Sequence, residues 1–158
     1  MIKSYLKNIA STTIQGDARE ESYYPKLSEF FEDFAKNIRK KNISITTLPK
    51  KIEAGNPDFR VWDASQHIVG YIEAKNPGEN LDIIENKNEL KRYRSTFPNL
   101  ILTDFYAFLL YRKGQMIDKV SIGRPFMATK MQTIPPVENE DKFVTLLAEI
   151  KSAISNFT

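Results

Sequence analysis

The order of hydrophobic patterns along this 158-residue chain predicts the α/β class, a mixed sheet flanked by helices. Three observations support it. An amphipathic pattern precedes three short β-type runs, a second helical pattern separates these from further β-type runs, and the chain closes on an amphipathic helix. No Gly/Ser linker or internal repeat divides the sequence, and its length is about that of one domain, so we expect a single domain over 1–158.

The first predicted helix covers residues 20–41 and should pack on the sheet. Pro25 is compatible with it only if the helix begins shortly before that residue, because proline is tolerated in the first turn and not in the interior. Apolar side chains spaced by three or four residues form one face of this helix: Tyr24, Leu27, Phe31, Phe34 and Ile38.

β-type runs follow, bounded by proline and glycine, and the first three suggest a meander. They cover Ile43–Leu48, Asp58–Trp62 and Ile68–Ala74. A helix with a polar, basic face is predicted over 81–94. It is followed by β-type runs at Leu100–Leu102 and Phe105–Tyr111, with a hairpin turn at Lys113-Gly114 leading into Met116–Ile122.

The last predicted helix covers 138–157, after a turn at Pro135-Pro136. Its apolar side chains recur at helical spacing, which indicates core packing: Phe143, Leu146, Leu147, Ile150, Ile154 and Phe157. The predicted order is therefore α, β, β, β, α, β, with an added hairpin and a C-terminal helix.

Composition excludes several chemistries. The chain has no cysteine and one histidine, His67, which removes thiol nucleophiles, thiolate zinc sites and metal sites that need two histidines. Carboxylate, Lys, Tyr and Arg chemistry remains, with a hard metal ion as a compatible cofactor. No apolar run approaches the roughly 18 residues of a membrane span, and the N-terminus lacks a signal-peptide pattern, so we expect a cytoplasmic protein with no membrane partner.

The triplet Glu73-Ala74-Lys75 stands out by its context. Acid-x-Lys triplets also begin at Glu85, Glu89, Glu140 and Glu149, but those lie in polar or helical stretches where solvated surface pairs are expected. Glu73 instead ends an apolar β-type run. Side chains two residues apart in a strand point to one face, so Glu73 and Lys75 should share a side of the sheet.

The predicted register of the hairpin between the second and third strands places a second carboxylate opposite Glu73. If the second and third strands pair through a two-residue loop at Ser65-Gln66, the numbers of opposed residues sum to 131, and Asp58 faces Glu73. Two carboxylates held that close repel unless a cation lies between them, and Mg²⁺ suits such oxygen ligands. Water, a backbone carbonyl and a substrate phosphate would complete its shell. A β-bulge between the loop and the site would change this register.

Glu20 is a third candidate. It lies one step before Tyr24 on the apolar stripe of the first helix, whereas Glu21 should face solvent. A carboxylate on a sheet-facing stripe needs a partner, which the metal site or Lys75 could supply. The alternative is a first-turn acid that complements the helix dipole.

These residues resemble the PD-(D/E)xK nuclease superfamily, and more narrowly the Mrr-like N-terminal nuclease modules of single-polypeptide restriction-modification enzymes. Those modules are fused to an adenine methyltransferase, with or without a translocase motor. The resemblance spans about residues 20–115, which would form the core of the module. Five segments carry it: Glu20 to Pro25, Gly55 to Phe59, Gly70 to Lys75, Leu90 to Arg94 and Asn99 to Asp104.

The resemblance implies a restriction-endonuclease-like core and a Mg²⁺-dependent endodeoxyribonuclease, in which Mn²⁺ can replace Mg²⁺. Asp58 and Glu73 would bind the metal, Lys75 would orient or activate the attacking water, and Glu20 would be an accessory acid. Such modules often carry a QxxxY element on the helix after the catalytic strand. Here Tyr93 is in place, and Glu89 occupies the glutamine position.

DNA is the partner that the resemblance implies. Lys91, Arg92, Tyr93 and Arg94 cluster on the helix after Lys75 and are the candidate DNA-binding residues, and six basic residues and no acid lie between Lys36 and Lys51. We interpret Trp62 and His67 as packing and turn residues.

The chain has no Walker A motif, no glycine-rich cofactor loop and no Asn-Pro-Pro-Tyr motif. Methyltransferase, specificity or motor domains would therefore lie in the same or a partner chain. Two other functions fit the pattern. One is a catalytically weak or inactive nucleic-acid-binding or assembly module of the same fold, and the other is a repair or junction-resolving nuclease.

Overall fold

The computed structural model describes residues 1–38 and 42–155. The helices are α1 Ile2–Gln15, α2 Tyr24–Ile38, α3 Leu81–Ile84, α4 Asn88–Thr96, α5 Pro125–Thr129 and α6 Glu140–Ser155, with a 3₁₀ turn at Glu20–Tyr23. The strands are β1 Ile43–Thr47, β2 Phe59–Asp63, β3 Ile68–Ala74, β4 Leu100–Thr103, β5 Ala107–Arg112 and β6 Gln115–Ser121.

The six strands form one mixed sheet in the order β1-β2-β3-β4-β5-β6. Neighbouring strands are antiparallel except β3 and β4, which are parallel. A parallel pair needs a crossover connection, and α3 with α4 supplies it. The predicted fold class and the predicted element order are confirmed.

Helices cover both faces of the sheet. Helices α1, α2 and α6 cover one face. There the ring centroid of Phe143, on α6, lies 5.0–5.5 Å from those of Phe30, Phe34 and Phe108. Helices α3 and α4 cover the other face over β3, β4 and β5. The half of that second face formed by β1 and β2 has no helix of the described chain packed on it.

Several boundaries differ from the sequence predictions. Helix α1 was not predicted, although Ile2, Tyr5, Leu6 and Ile9 recur at helical spacing and are buried. The predicted 20–41 helix is a 3₁₀ turn followed by α2, so Pro25 lies in the first turn of α2 as required. Residues 39–41 and the predicted stripe residue Phe157 lie outside the described residues.

The predicted 81–94 helix is two helices, α3 and α4. Asn80 caps α3 by accepting hydrogen bonds from the backbone amides of Asp82 and Ile83, and the chain leaves the helical path at Glu85–Lys87. The predicted strand from Phe105 begins instead at Ala107. Phe105 has φ +75°, in a turn whose amides at 106 and 107 bond to the Asp104 carboxylate.

The β2–β3 hairpin reaches the predicted register by an unpredicted route. The loop holds three residues, 64–66, because the Asp63 amide bonds to the His67 carbonyl, and Gln66 takes the left-handed conformation, with φ +66°. A β-bulge at Val69 then offsets this difference by one residue. From Val61↔Gly70 toward the site, opposed residue numbers sum to 131 as predicted.

Among the described residues, no helix combines the length and apolar character needed to cross a membrane.

Candidate active site

Asp58 and Glu73 lie side by side where β2 begins and β3 ends. The Ala74 amide donates a 2.8 Å hydrogen bond to Oδ2 of Asp58, and the Asp58 amide donates a 3.3 Å hydrogen bond to Oε1 of Glu73. The two carboxyl groups also approach closely enough to share a hydrogen bond. Phe59 and Ile72, one residue further along each strand, point into the opposite core.

Burial dominates the electrostatics of this pair. Only 4% of Glu73 is exposed. Desolvation, followed by the neighbouring Asp58 carboxylate, raises the pKa of Glu73 far above its ordinary value. Burial also raises the pKa of Asp58, although the Ala74 amide opposes that shift. Without a cation the pair therefore favours holding a proton.

Lys75 supplies a positive charge beside the pair. Its Nζ lies 3.3 Å from Oε2 of Glu73, as expected for residues i and i+2 on one face of the strand. Burial lowers the pKa of Lys75, but the carboxylates of Glu73, Glu20 and Asp58 together more than reverse this effect. The pKa is raised overall, so the ammonium group stays charged at neutral pH.

Glu20 reaches the same neighbourhood from the 3₁₀ turn before α2. The Tyr24 hydroxyl donates a 2.8 Å hydrogen bond to Oε1 of Glu20 and lies near Asp58. Burial raises the pKa of Glu20, and the hydrogen bond from Tyr24 lowers it. The Asp58 carboxylate raises the same pKa and the Lys75 ammonium group lowers it. Glu20 is therefore both a first-turn acid and a neighbour of the Asp58–Glu73 pair.

Tyr24 is a polar contact that the sequence did not reveal. Its place on the apolar stripe of α2 predicts a core residue, and its ring is indeed buried against Phe59. The hydroxyl nevertheless points to two carboxylates. The signal available in the sequence is the spacing of four between Glu20 and a tyrosine that can donate a hydrogen bond.

Asp58 and Glu73 suit a hard divalent cation. A cation between two adjacent carboxylates with raised pKa values reduces their mutual repulsion. Oxygen atoms are the ligands that Mg²⁺ prefers. Among residues 1–38 and 42–155 no group of three or more His, Asp or Glu side chains is arranged to hold a metal. The pair could thus supply two ligands, and water and substrate oxygens would supply the rest.

Tyr93 supports the loop that leads into Asp58. It is 1% exposed, and the nearby backbone of Asn56 lowers the pKa of its hydroxyl, against the larger effect of burial. Gly55, with φ +137°, lies so close that a Cβ there would be 2.7 Å from the Tyr93 hydroxyl oxygen. The glycine thus permits the close approach of the loop to α4.

The other predicted DNA-binding residues differ in accessibility. Lys91 and Arg92 are exposed, and Nε of Arg92 donates a 2.6 Å hydrogen bond to the Ala54 carbonyl. Arg94 is half-buried and donates to the carbonyls of Glu85 and Gly114 over the ring of Tyr111. Lys91 and Arg92 are therefore the two of this set whose charged groups are best placed to meet a ligand.

A cleft of about 410 Å³ opens between the 51–56 loop and α4. Two basic residues, Lys51 and Arg92, and two acidic residues, Glu53 and Glu89, line it. The remaining lining residues are Ala54, Gly55, Asn56 and Tyr93. Burial raises the pKa of Tyr93, and Glu73 and Glu89 raise it further, so the cleft and the carboxylate pair interact electrostatically.

The fold is shared with a much longer chain of known structure. A chain in the cryo-electron microscopy structure of the DrdV–DNA complex matches this one with a TM-score of 0.66 and 21% sequence identity. The match covers 94% of this chain and 13% of that chain. No family model matches the sequence. No curated protein matches it either. The structural match is consistent with the predicted restriction-endonuclease-like fold.

Proposed function

We propose that this chain is a metal-dependent DNA endonuclease module that hydrolyses phosphodiester bonds. The observation that carries the proposal is the meeting of the Asp58 and Glu73 carboxylates with Nζ of Lys75, which lies 3.3 Å from Glu73, at one end of a strand pair. Two carboxylates and an ammonium group are the groups that this hydrolysis needs when a divalent cation is bound.

Each residue has a distinct role in the proposal. Asp58 and Glu73 would hold Mg²⁺, or Mn²⁺ in its place, and the ion would supply Lewis-acid stabilisation of the phosphate. Lys75 stays protonated, so it would orient the attacking water and stabilise developing negative charge rather than remove a proton. Glu20, held by Tyr24, would be an accessory acid that orients water near Asp58.

Two further observations support DNA as the substrate. The structural neighbour belongs to a complex with DNA, and the chain shares its fold. Lys91 and Arg92 are exposed on α4, next to the cleft beside the carboxylate pair, where they could contact phosphates. Because this chain corresponds to 13% of that neighbour, we propose that methyltransferase, specificity or motor functions lie in other domains of the same or a partner chain.

A second function is favoured by Glu89. This acid occupies the position where the resembled family often has glutamine, and its charge raises the pKa of Glu73 further. Added negative charge beside the pair would weaken the handling of a polyanionic substrate. The alternative is therefore a nucleic-acid-binding or assembly module that retains the fold and cleaves weakly or not at all.

The test is cleavage of plasmid and oligonucleotide DNA at high protein concentration with Mg²⁺ or Mn²⁺. We expect Asp58→Ala, Glu73→Ala and Lys75→Ala each to lower the rate at least about 100-fold. Glu20→Ala should lower it less, and Glu21→Ala, an exposed neighbour, serves as its matched control. Cutting that persists in all three principal variants would refute the site. Metal and DNA binding by a wild-type protein that does not cut would favour the alternative.

A further inference from the structure

The uncovered half of the sheet, next to the carboxylate pair, carries an ordered set of cationic and aromatic side chains. Along β2, alternate residues point to the α4 side of the sheet, so Asp58, Arg60 and Trp62 follow one another on that face. Ser44 and Thr46 of β1 lie opposite Trp62 and Arg60 and are exposed. We call these four residues of β1 and β2, Ser44, Thr46, Arg60 and Trp62, the open face.

Arg60 is the centre of the open face. Its guanidinium lies 5.7 Å from the ring centroid of Trp62 and 5.5 Å from that of Tyr71. One amino group donates a 3.5 Å hydrogen bond to the Lys50 carbonyl, while Nε is buried and has no hydrogen-bond partner in the described part of the chain. No carboxylate of the described residues forms an ion pair with Arg60.

An unbroken line of stacked groups joins the open face to α4. Tyr71 stacks on Phe97 at 4.1 Å, Phe97 stacks on Tyr93 at 5.0 Å, and Arg92 lies 5.8 Å from the Tyr93 ring. Arg60 and Arg92 thus lie at the two ends of one aromatic stack. Rigid aromatic support fixes both guanidinium groups at little cost in conformational entropy.

Charge on this surface favours a polyanion. Lys50 and Lys51 are exposed on the loop that contacts Arg60 and borders the cleft, and Arg92 closes the far side. Two exposed acids, Glu53 and Glu89, share the cleft lining. Four basic residues therefore face two acids within this surface, immediately beside a candidate phosphodiester-cleaving site.

We infer that the open face, with Lys50 and Lys51, binds the phosphodiester backbone of duplex DNA and leads it to Asp58 and Glu73. The inference rests on the proposed function for the choice of DNA. Arg60, which is half-exposed, contacts phosphate through its guanidinium amino groups. The indole N–H of Trp62 already donates a 3.0 Å hydrogen bond to Oγ1 of Thr46. Trp62 therefore supports Arg60 with its ring and does not itself donate to phosphate. Phosphate contacts position the duplex without reading its sequence.

The test uses the single tryptophan of the chain as a reporter. A labelled DNA duplex is titrated in EDTA, where no cleavage interferes, and anisotropy of the DNA is followed together with Trp62 emission. We expect both signals to give the same Kd. Arg60→Gln should weaken binding about 3- to 10-fold and reduce the slope of log K against log salt by about 0.9.

Two further variants make the test independent of whether the Arg60→Gln variant folds. The Lys50→Gln, Lys51→Gln double variant changes exposed residues and should reduce the same slope by about 1 to 2. Lys7→Gln removes one charge from α1 on the opposite side of the sheet and should bind like the wild type. Circular dichroism establishes that each variant is folded.

The outcomes separate this inference from the proposed function. Duplex binding that depends on these residues in a protein that never cuts supports the open face and argues against the nuclease. Cutting by wild type with unchanged affinity in folded Arg60 and Lys50/Lys51 variants overturns the open face alone. Single-stranded DNA that binds more than tenfold tighter than duplex overturns it as well, because base stacking would then dominate.

Discussion

The backbone amide of Ala74 donates a 2.8 Å hydrogen bond to Oδ2 of Asp58. The strand that carries Glu73 therefore also fixes the carboxylate opposite Glu73. Because the Asp58 amide bonds in return to the Glu73 carboxylate, each member of the pair is oriented by the strand of the other. This reciprocal arrangement holds two carboxyl groups together at an electrostatic cost, and the first two predictions follow from that cost.

Glu73→Gln should stabilise the metal-free protein at alkaline pH. Burial and Asp58 raise the pKa of Glu73 to about 9 in the folded protein, against an ordinary 4.5. The folded state thus holds a proton that the unfolded state releases, so this contribution is complete below about pH 4.5 and is lost as pH rises through 9. Thermal unfolding in EDTA between pH 5 and 9 should show a flatter profile for Glu73→Gln, with a gain above about 1 kcal/mol at pH 8.

The exposed substitution Glu29→Gln is the control for that experiment and should leave the pH profile unchanged. A wild-type profile that rises with pH across the same window would contradict the predicted direction. Asp58→Asn should act in the same direction as Glu73→Gln, because burial also raises the pKa of Asp58.

Mg²⁺ should stabilise the wild-type protein through the carboxylate pair. At ten times its Kd a ligand that binds only the folded state adds about 1.4 kcal/mol, which corresponds to about 3–6 °C in Tm for a chain of this size. Asp58→Asn and Glu73→Gln should abolish this shift. Differential scanning calorimetry with Mg²⁺, and with NaCl of equal ionic strength as control, measures it. Equal shifts in wild type and both variants would place the ion elsewhere.

Tyr24→Phe should reduce both stability and cleavage. The substitution keeps the buried ring but removes the hydroxyl that bonds Glu20 and approaches Asp58, so two acids lose a shared partner. We expect a loss of about 1 kcal/mol in the free energy of unfolding, measured in urea. Tyr23→Phe, whose hydroxyl bonds Thr13 instead, should lose comparable stability without a specific fall in kcat. A Tyr24→Phe enzyme with full kcat would show that Glu20 needs no such support.

Gly55→Ala should be strongly destabilising because of Tyr93. A Cβ at Gly55 would meet the Tyr93 hydroxyl oxygen at 2.7 Å, in a backbone conformation that L residues rarely adopt. We expect a loss of about 1–3 kcal/mol. Gly114→Ala, also left-handed but with no atom within 4 Å of its Cβ position, should lose less. The double variant with Tyr93→Phe should recover part of the difference, whereas strict additivity would contradict the steric explanation.

Phe143→Ala tests whether α6 belongs to the same cooperative unit as the sheet. Phe143 is fully buried against three phenylalanines from α2 and one from β5, so truncation should cost about 3–5 kcal/mol. Urea unfolding should remain a single transition with a lower midpoint. Lys142→Ala, exposed on the same helix, should change stability by less than about 0.5 kcal/mol. An unchanged midpoint for Phe143→Ala would mean that α6 does not contribute to the domain.

Periodicity was sufficient to predict the main elements near the candidate site. Apolar runs with clear boundaries specified β2 and β3, and the register between them follows from strand geometry once the loop is chosen. The sequence did not reveal that the loop has three residues, because turn type depends on a left-handed Gln66, which no glycine or asparagine marks. The residue pattern likewise gives no signal that predicts the bulge at Val69.

The roles of polar side chains were harder to predict than the elements. Tyr93 and Arg94 fall on a basic helix face, yet Tyr93 is buried and Arg94 is bonded to two backbone carbonyls. The sequence predicts a packing role for Trp62, and in the structure Trp62 is half-exposed beside Arg60. These contacts arise between segments far apart in the chain, so local spacing does not encode them.

The three-residue loop and the bulge at Val69 constrain how this hairpin can vary. Each shifts strand pairing by one residue, in opposite directions, and together they set Asp58 opposite Glu73. A two-residue loop without a bulge would give the same pairing at the site for the same number of residues between the two carboxylates. Among homologues with that same number of residues, a three-residue loop should therefore occur with a bulge and a two-residue loop without one.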